Sequence, residues 1–406
     1  MNLSQPRVGV HAAARMADIE PFHVMQLIAR AKELEGQGRE IVNMVVGEPD
    51  FPLAPAMQAA AMRMLERGRL GYTPSLGLMP LREAIAGWYQ TRYNVSIPAS
   101  RVAVTTGSSG ALLVTMGVLL DPGDQVMLAD PGYPCNRHFV RALDGEPLCV
   151  PVGPASAYQL TAELVAKHWT PRTKAVLVCS PSNPTGTMIS AKQLHDIHAL
   201  VVSRHAMLIS DEIYHGLSYG EEAHTALEYG DDVFVINSFS KYFGMTGLRL
   251  GWMVVPEAFR LDVDKLAANL YISPPDISQY AALAAFEPET IALLEERRGL
   301  YRAQRDFLLP ALKALGFEIP VTPDGAFYIY ANCSRFTDDS YAFCWDVLER
   351  AGVAITPGLD FGDNDPRHHV RVSYPKPMPV LEEGVKRLRQ YLNTLGKEGR
   401  SEGGKG

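Results

Sequence analysis

The sequence lacks any run of the roughly 18 apolar residues that a membrane span requires, and its start, MNLSQPRVGVHAAARMADIE, has no apolar core of a secretory signal. A cytoplasmic protein with no membrane partner is expected. Cysteine is scarce: Cys135, Cys149, Cys179, Cys333 and Cys344 form no CxxC pair, which excludes a cysteine zinc cluster and leaves free, mostly buried thiols. No block of one charge occurs. The formal net charge of -7 is scattered along the chain, so nucleic acid and anionic lipid are poor partners and small molecules are better ones. A Walker A loop and a GxGxxG fingerprint are also missing, which argues against ATP, GTP and NAD as ligands.

What is present is material for a large core. The 406 residues are 47% hydrophobic and 20% charged, enough for more than one domain. From about 100 to 255, short apolar runs alternate with helical stretches, the rhythm of a mainly parallel α/β sheet covered by helices. The clearest strands are VAVTT, QVMLAD, KAVLVCS, AMLIS and VFVINS. LGWMVV follows VFVINS too closely for a helical crossover, so within the same sheet it must run antiparallel to its neighbour. Ser190 and Gln193 predict a capping box opening a helix to Arg204, on which His195 and His198 read as solvent-facing rather than as metal ligands. After 290 the pattern changes to a long charged helix, the strand-like GAFYIY, another helix and HVRVSY, a smaller α+β unit against which the amphipathic stretch from Pro21 can pack. The polar, glycine-rich 397–406 is expected to be disordered.

Ligands of open α/β sheets bind beyond the carboxyl ends of the strands. Three such ends here are followed by Asn183, by Asp211 with Tyr214, and by Ser238 with Lys241, at spacings of 28 and 27 residues, each the length of one βα unit. A turn or a helix cap explains any one of them. The set, with a lysine in the same rim, points to chemistry. GSSGALL at 107–113 follows a strand and opens a helix whose N–H groups and dipole suit a phosphate, with Ser238 and Arg249 within reach. A phosphate-bearing aldehyde with a cationic ring nitrogen meets all these groups, and pyridoxal phosphate is such a molecule.

These residues resemble the fold-type I pyridoxal-phosphate enzymes, in particular the class I/II aminotransferases related to aspartate aminotransferase. The similarity runs through GEPDF, YTPSLGLMPLREAIA, DPGYP, PSNPTG, DEIY, SFSK with GLRLGW, GAFYIY and RVSY. It implies a seven-stranded sheet in a large domain at 50–288, with a small domain from 1–49 and 289–396. It implies transamination between an L-amino acid and a 2-oxo acid through a Lys241 aldimine, in a homodimer with shared active sites, as part of amino acid metabolism. Lys241 would be catalytic together with Asp211, which pairs with the ring nitrogen, and Tyr214, which with Asn183 hydrogen-bonds the phenolic oxygen. Tyr133 would stack on the ring. Ser108, Ser109, Ser238 and Arg249 would hold the phosphate, joined by Tyr72 of a second subunit. Arg371 would grip the substrate carboxylate beside Asn183 and Gly47. No metal is implied.

Three questions stay open in the sequence. The same cofactor residues serve β-elimination as well as transamination. SFSK also fits the SxxK serine hydrolases, with Ser238 as nucleophile, but the KTG element they need is absent. No second cation is assigned to an acidic side chain, which favours neutral, aromatic or broad specificity, with Phe22, His23, Tyr72 and Tyr328 as candidate pocket residues.

Overall fold

Runs of Val, Ile and Leu too apolar for a half-exposed sheet become the centre of the fold. The computed structural model describes residues 11–402; residues 1–10, part of the stretch read for a signal, lie outside the described residues. β1 (Val42–Asn43) is a two-residue strand near the N-terminus. β2 (Val102–Thr105), β3 (Gln125–Asp130), β4 (Glu146–Pro151), β5 (Thr173–Cys179), β6 (Met207–Asp211), β7 (Val233–Ser238) and β8 (Gly251–Val254) form one seven-stranded sheet in the order β2-β8-β7-β6-β5-β3-β4. The pairs from β4 through β7 are parallel, and β8 runs antiparallel to both β7 and β2. This is the direction that the short lysine loop required.

Every residue of β7 is buried, as expected of a parallel strand covered on both faces. β4, absent from the strands read in the sequence, occupies the sheet edge. Its two prolines and its largely accessible residues hide a strand from pattern reading, because an edge strand tolerates both. The covering helix Ala191–Ser203 has the expected capping box. His198 departs from expectation: it is 7% exposed and shares a 2.8 Å hydrogen bond with Asp232. The partner comes from a loop 34 residues away, a distance over which local periodicity is silent.

After the large sheet come the helix Pro288–Leu315, β9 (Tyr328–Asn332), β10 (Val353–Ala354), β11 (Thr356–Pro357) and β12 (His369–Ser373). β12 lies between β11 and β9 in an antiparallel sheet that sets Arg371 opposite Thr356 and Tyr330. β1 pairs with β10 in parallel, tying the start of the chain to this C-terminal unit. The last helix is Met378–Glu402, so it reaches into the 397–406 tail expected to be disordered. Residues 403–406 of that tail lie outside the described residues. Among the described residues no helix is long and apolar enough to cross a membrane. Of the thiols, Cys333 and Cys344 are buried, Cys135 and Cys179 half-buried and Cys149 exposed.

Candidate active site

Parallel strands end on the same side of a sheet, so the residues just past β2, β3, β5, β6 and β7 share one rim. There an open cleft is lined by Ser108, Ser109, Tyr133, Asn183, Asp211, Tyr214, Lys241 and Arg249 on one side. Its other side is formed by Phe22, Val24, Ile28, Val45, Gly47, Tyr328, Phe361 and Arg371. A smaller pocket adjoins it and shares Tyr133, Cys179, Asn183 and Phe361.

Lys241 is half-buried, and its Nζ donates to the Gly47 carbonyl at 2.8 Å. Aromatic faces of Tyr214 and Phe327 lie 5.7 and 5.9 Å from that nitrogen. Burial pulls the ammonium down to about 8; the positive charges of Arg371 and Arg249 add to this, and the negative charges of Glu48 and Asp211 oppose it. The amine is therefore far easier to deprotonate than a surface lysine. Gly47 is required where it is, because a Cβ would stand 1.9 Å from the Tyr328 hydroxyl.

Asp211 ends β6 and is 1% exposed. Burial pushes its carboxyl up to about 7 against the Ile213 N–H, the Cys179 thiol and the charge of Lys241. Tyr214 and Tyr328 share a 2.7 Å hydroxyl hydrogen bond, and burial raises both phenols.

Arg371 is 7% exposed in β12, with no carboxylate partner among the described residues. Neutral acceptors fix its orientation: Nη1 donates to Asn183 Oδ1 at 2.8 Å, and Nη2 to the Val45 carbonyl at 2.7 Å. The guanidinium packs against the rings of Tyr328 at 4.5 Å and Phe361 at 4.9 Å. Its Nε is buried without a hydrogen-bond partner in the structure. A buried cation held this way is costly unless an anion joins it.

The phosphate-type end is built at the start of the helix Gly107–Leu119, whose first N–H groups have no side-chain cap. Gly107 has φ +73, and a Cβ there would come within 3.0 Å of Arg249 Nη2. Arg249 itself has φ +50 and donates to the Thr246 carbonyl at 3.0 Å.

Ser238 does not line this cleft. It is 1% exposed, and its hydroxyl accepts from the Ser240 N–H at 3.0 Å and donates to the Leu250 carbonyl at 3.4 Å, closing the turn that carries the lysine. Ser240 and Thr246 line the cleft instead. SFSK contains two serines, and composition and spacing do not tell which of them turns outward. Tyr72 is 82% exposed and lies outside the cleft of its own chain. Phe22 and Tyr328 reach the cleft; His23 does not and meets Tyr341 edge-on. Val24, Ile28, Thr356 and Asp360 line it as well and were not anticipated.

A family model described as aminotransferase class I and II matches residues 39–388. The valine–pyruvate aminotransferase of Mycobacterium tuberculosis is 40% identical over 381 residues, 93% of this chain and 98% of that protein. The crystal structure of an aminotransferase from the same organism superimposes with a TM-score of 0.91 at 40% identity, covering 95% of this chain and 100% of the other. The aspartate aminotransferase of Thermus thermophilus with maleate gives 0.88 at 33% identity, covering 94% and 99%. With this match along nearly its whole length, the chain belongs to the class I and II aminotransferases, enzymes that depend on pyridoxal phosphate.

Proposed function

We propose that this aminotransferase moves an amino group between a neutral, apolar L-amino acid and a 2-oxo acid, with Lys241 as the lysine that carries the cofactor. The observation behind this is the convergence of one softened amine, one buried carboxylate and one unpaired guanidinium on a single cleft. When bound, pyridoxal phosphate supplies an electron sink that weakens the bonds at the substrate α-carbon.

The residues suit that group. Asp211 is too deeply buried to bear its charge comfortably, and a ring cation beside it relieves that cost. The uncapped helix start with Ser108, Ser109, Ser240, Thr246 and Arg249 supplies donors for a phosphate. Asn183 has its oxygen committed to Arg371, which leaves its NH2 to join Tyr214 at a phenolic oxygen. Tyr133 offers a ring face.

Arg371, prealigned by Asn183 and Val45, takes the α-carboxylate that amino acids and oxo acids share. Lys241, neutral, removes the α-proton and returns it at the far end of the transfer. Large-domain residues 50–288 and the small domain on either side of them would form the two walls. A homodimer places the exposed Tyr72 at the phosphate of the neighbouring site.

The substrate class follows from what faces the side-chain end. Besides Lys241, the cations lining the cleft are Arg249 and Arg371, both already assigned, while Phe22, Val24, Ile28 and Val46 form an apolar wall. The relative named valine–pyruvate aminotransferase supports an aliphatic donor. Mixing the holoenzyme with valine and no acceptor tests the reaction. One equivalent of the 2-oxo acid per active site, without ammonia, is expected. Continuous release of pyruvate and ammonia from β-chloroalanine, a donor with a β-leaving group, would indicate elimination instead.

A further inference from the structure

The helix His23–Gly36 carries Val24 and Ile28, one turn apart, into the cleft, yet its own N-cap residue Phe22 makes no capping hydrogen bond. A carboxylate from a distant part of the chain replaces the missing cap. Asp360, 4% exposed, accepts from the backbone N–H of His23 at 2.7 Å with Oδ1 and from that of Val24 at 2.9 Å with Oδ2. The next residue, Phe361, lies 4.9 Å from the guanidinium of Arg371.

This loop is also fixed from the large sheet. Asp130 at the end of β3 accepts from the Asp363 N–H at 3.0 Å and the Asn364 N–H at 3.3 Å. Gly362 has φ +146, and a Cβ there would lie 1.9 Å from Asp130 Oδ1, so the loop approaches the sheet as closely as glycine permits.

We infer that Asp360 is a specificity-determining positioning residue: it sets the distance between the carboxylate grip at Arg371 and the apolar wall of Val24 and Ile28. The inference rests on the reading of Arg371 given above. Both of its oxygens are spent on the helix, so the helix cannot shift along the cleft without leaving a buried carboxylate unpaired. A substrate anchored at Arg371 then meets Val24 and Ile28 at a fixed distance, and its side chain gains by burial against them.

Unreactive carboxylates separate this role from mere folding. Acetate, propionate and isovalerate are titrated into the holoenzyme, following the absorbance of the bound cofactor. In the native enzyme isovalerate binds roughly tenfold more tightly than acetate, since its extra carbons are buried. In Asp360→Ala the isovalerate advantage falls to about twofold or less, whereas acetate loses less than about threefold, because its grip is Arg371. Ile28→Ala compresses the series in the same way with the Asp360 contacts intact. Should Asp360→Ala fail to take up cofactor, Asp360→Asn, which keeps one accepting oxygen, decides on the same criterion with an intermediate span. A full tenfold span in the Asp360 variants overturns the inference, as does a native enzyme indifferent to chain length. Acetate binding that survives Arg371→Gln overturns the reading beneath it, and the inference with it.

Discussion

Lys241→Ala retains pyridoxal phosphate but loses turnover by at least about 10³-fold. Retention follows because the uncapped helix start, Arg249 and Asp211 are untouched by the change. Loss of turnover follows from the proposed double role of the lysine, which holds the cofactor and moves the α-proton. The amine is suited to this by its surroundings: burial, and then two guanidinium groups, bring it down to about 8, so a useful fraction is neutral near pH 7. The variant also leaves the Gly47 carbonyl without its donor, a loss of about 1 kcal/mol in stability. Dialysis followed by absorbance measures retention, and single-turnover assays with valine measure the rate. Turnover within tenfold of the native enzyme contradicts the assignment.

Asp211→Ala slows α-proton removal by about 10² to 10⁴-fold. The carboxylate stands at the end of a buried strand, paired in register with Cys179 of β5, and burial holds it up to about 7. Such a group is an unstable anion on its own and a strong partner for a cation placed against it. Alanine removes that counter-charge while leaving the lysine and the phosphate site in place. With α-deuterated valine the variant shows a larger isotope effect than the native enzyme, because proton removal has become limiting. A near-native rate contradicts the role of Asp211.

The gathering of Lys241 and Asp211 at one cleft was legible in the sequence because each follows an apolar strand run, and strand runs in parallel sheets are the plainest signal a sequence carries. The antiparallel β8 was legible for a related reason, a connection too short for anything else. What stayed hidden depends on contacts between distant segments. The burial of His198 is decided by Asp232 on another loop. Ser238 and Ser240 share a turn, and its geometry, not its composition, puts the second at the cleft. Asp360 and His23 meet across 337 positions, so neither residue type nor spacing marks the carboxylate as a cap. The edge strand β4 was missed because its prolines and accessible residues read as a loop.

Lys241 is proposed as the residue on which this chain bears its cofactor. Incubating the protein with pyridoxal phosphate, reducing with sodium borohydride and mapping the peptides by mass spectrometry tests it directly. The expected result is one modified residue, Lys241, with timed labelling that increases as pH rises through about 8, where the amine loses its proton. Stable modification at a different lysine, with Lys241 untouched, would show that the cofactor is borne elsewhere.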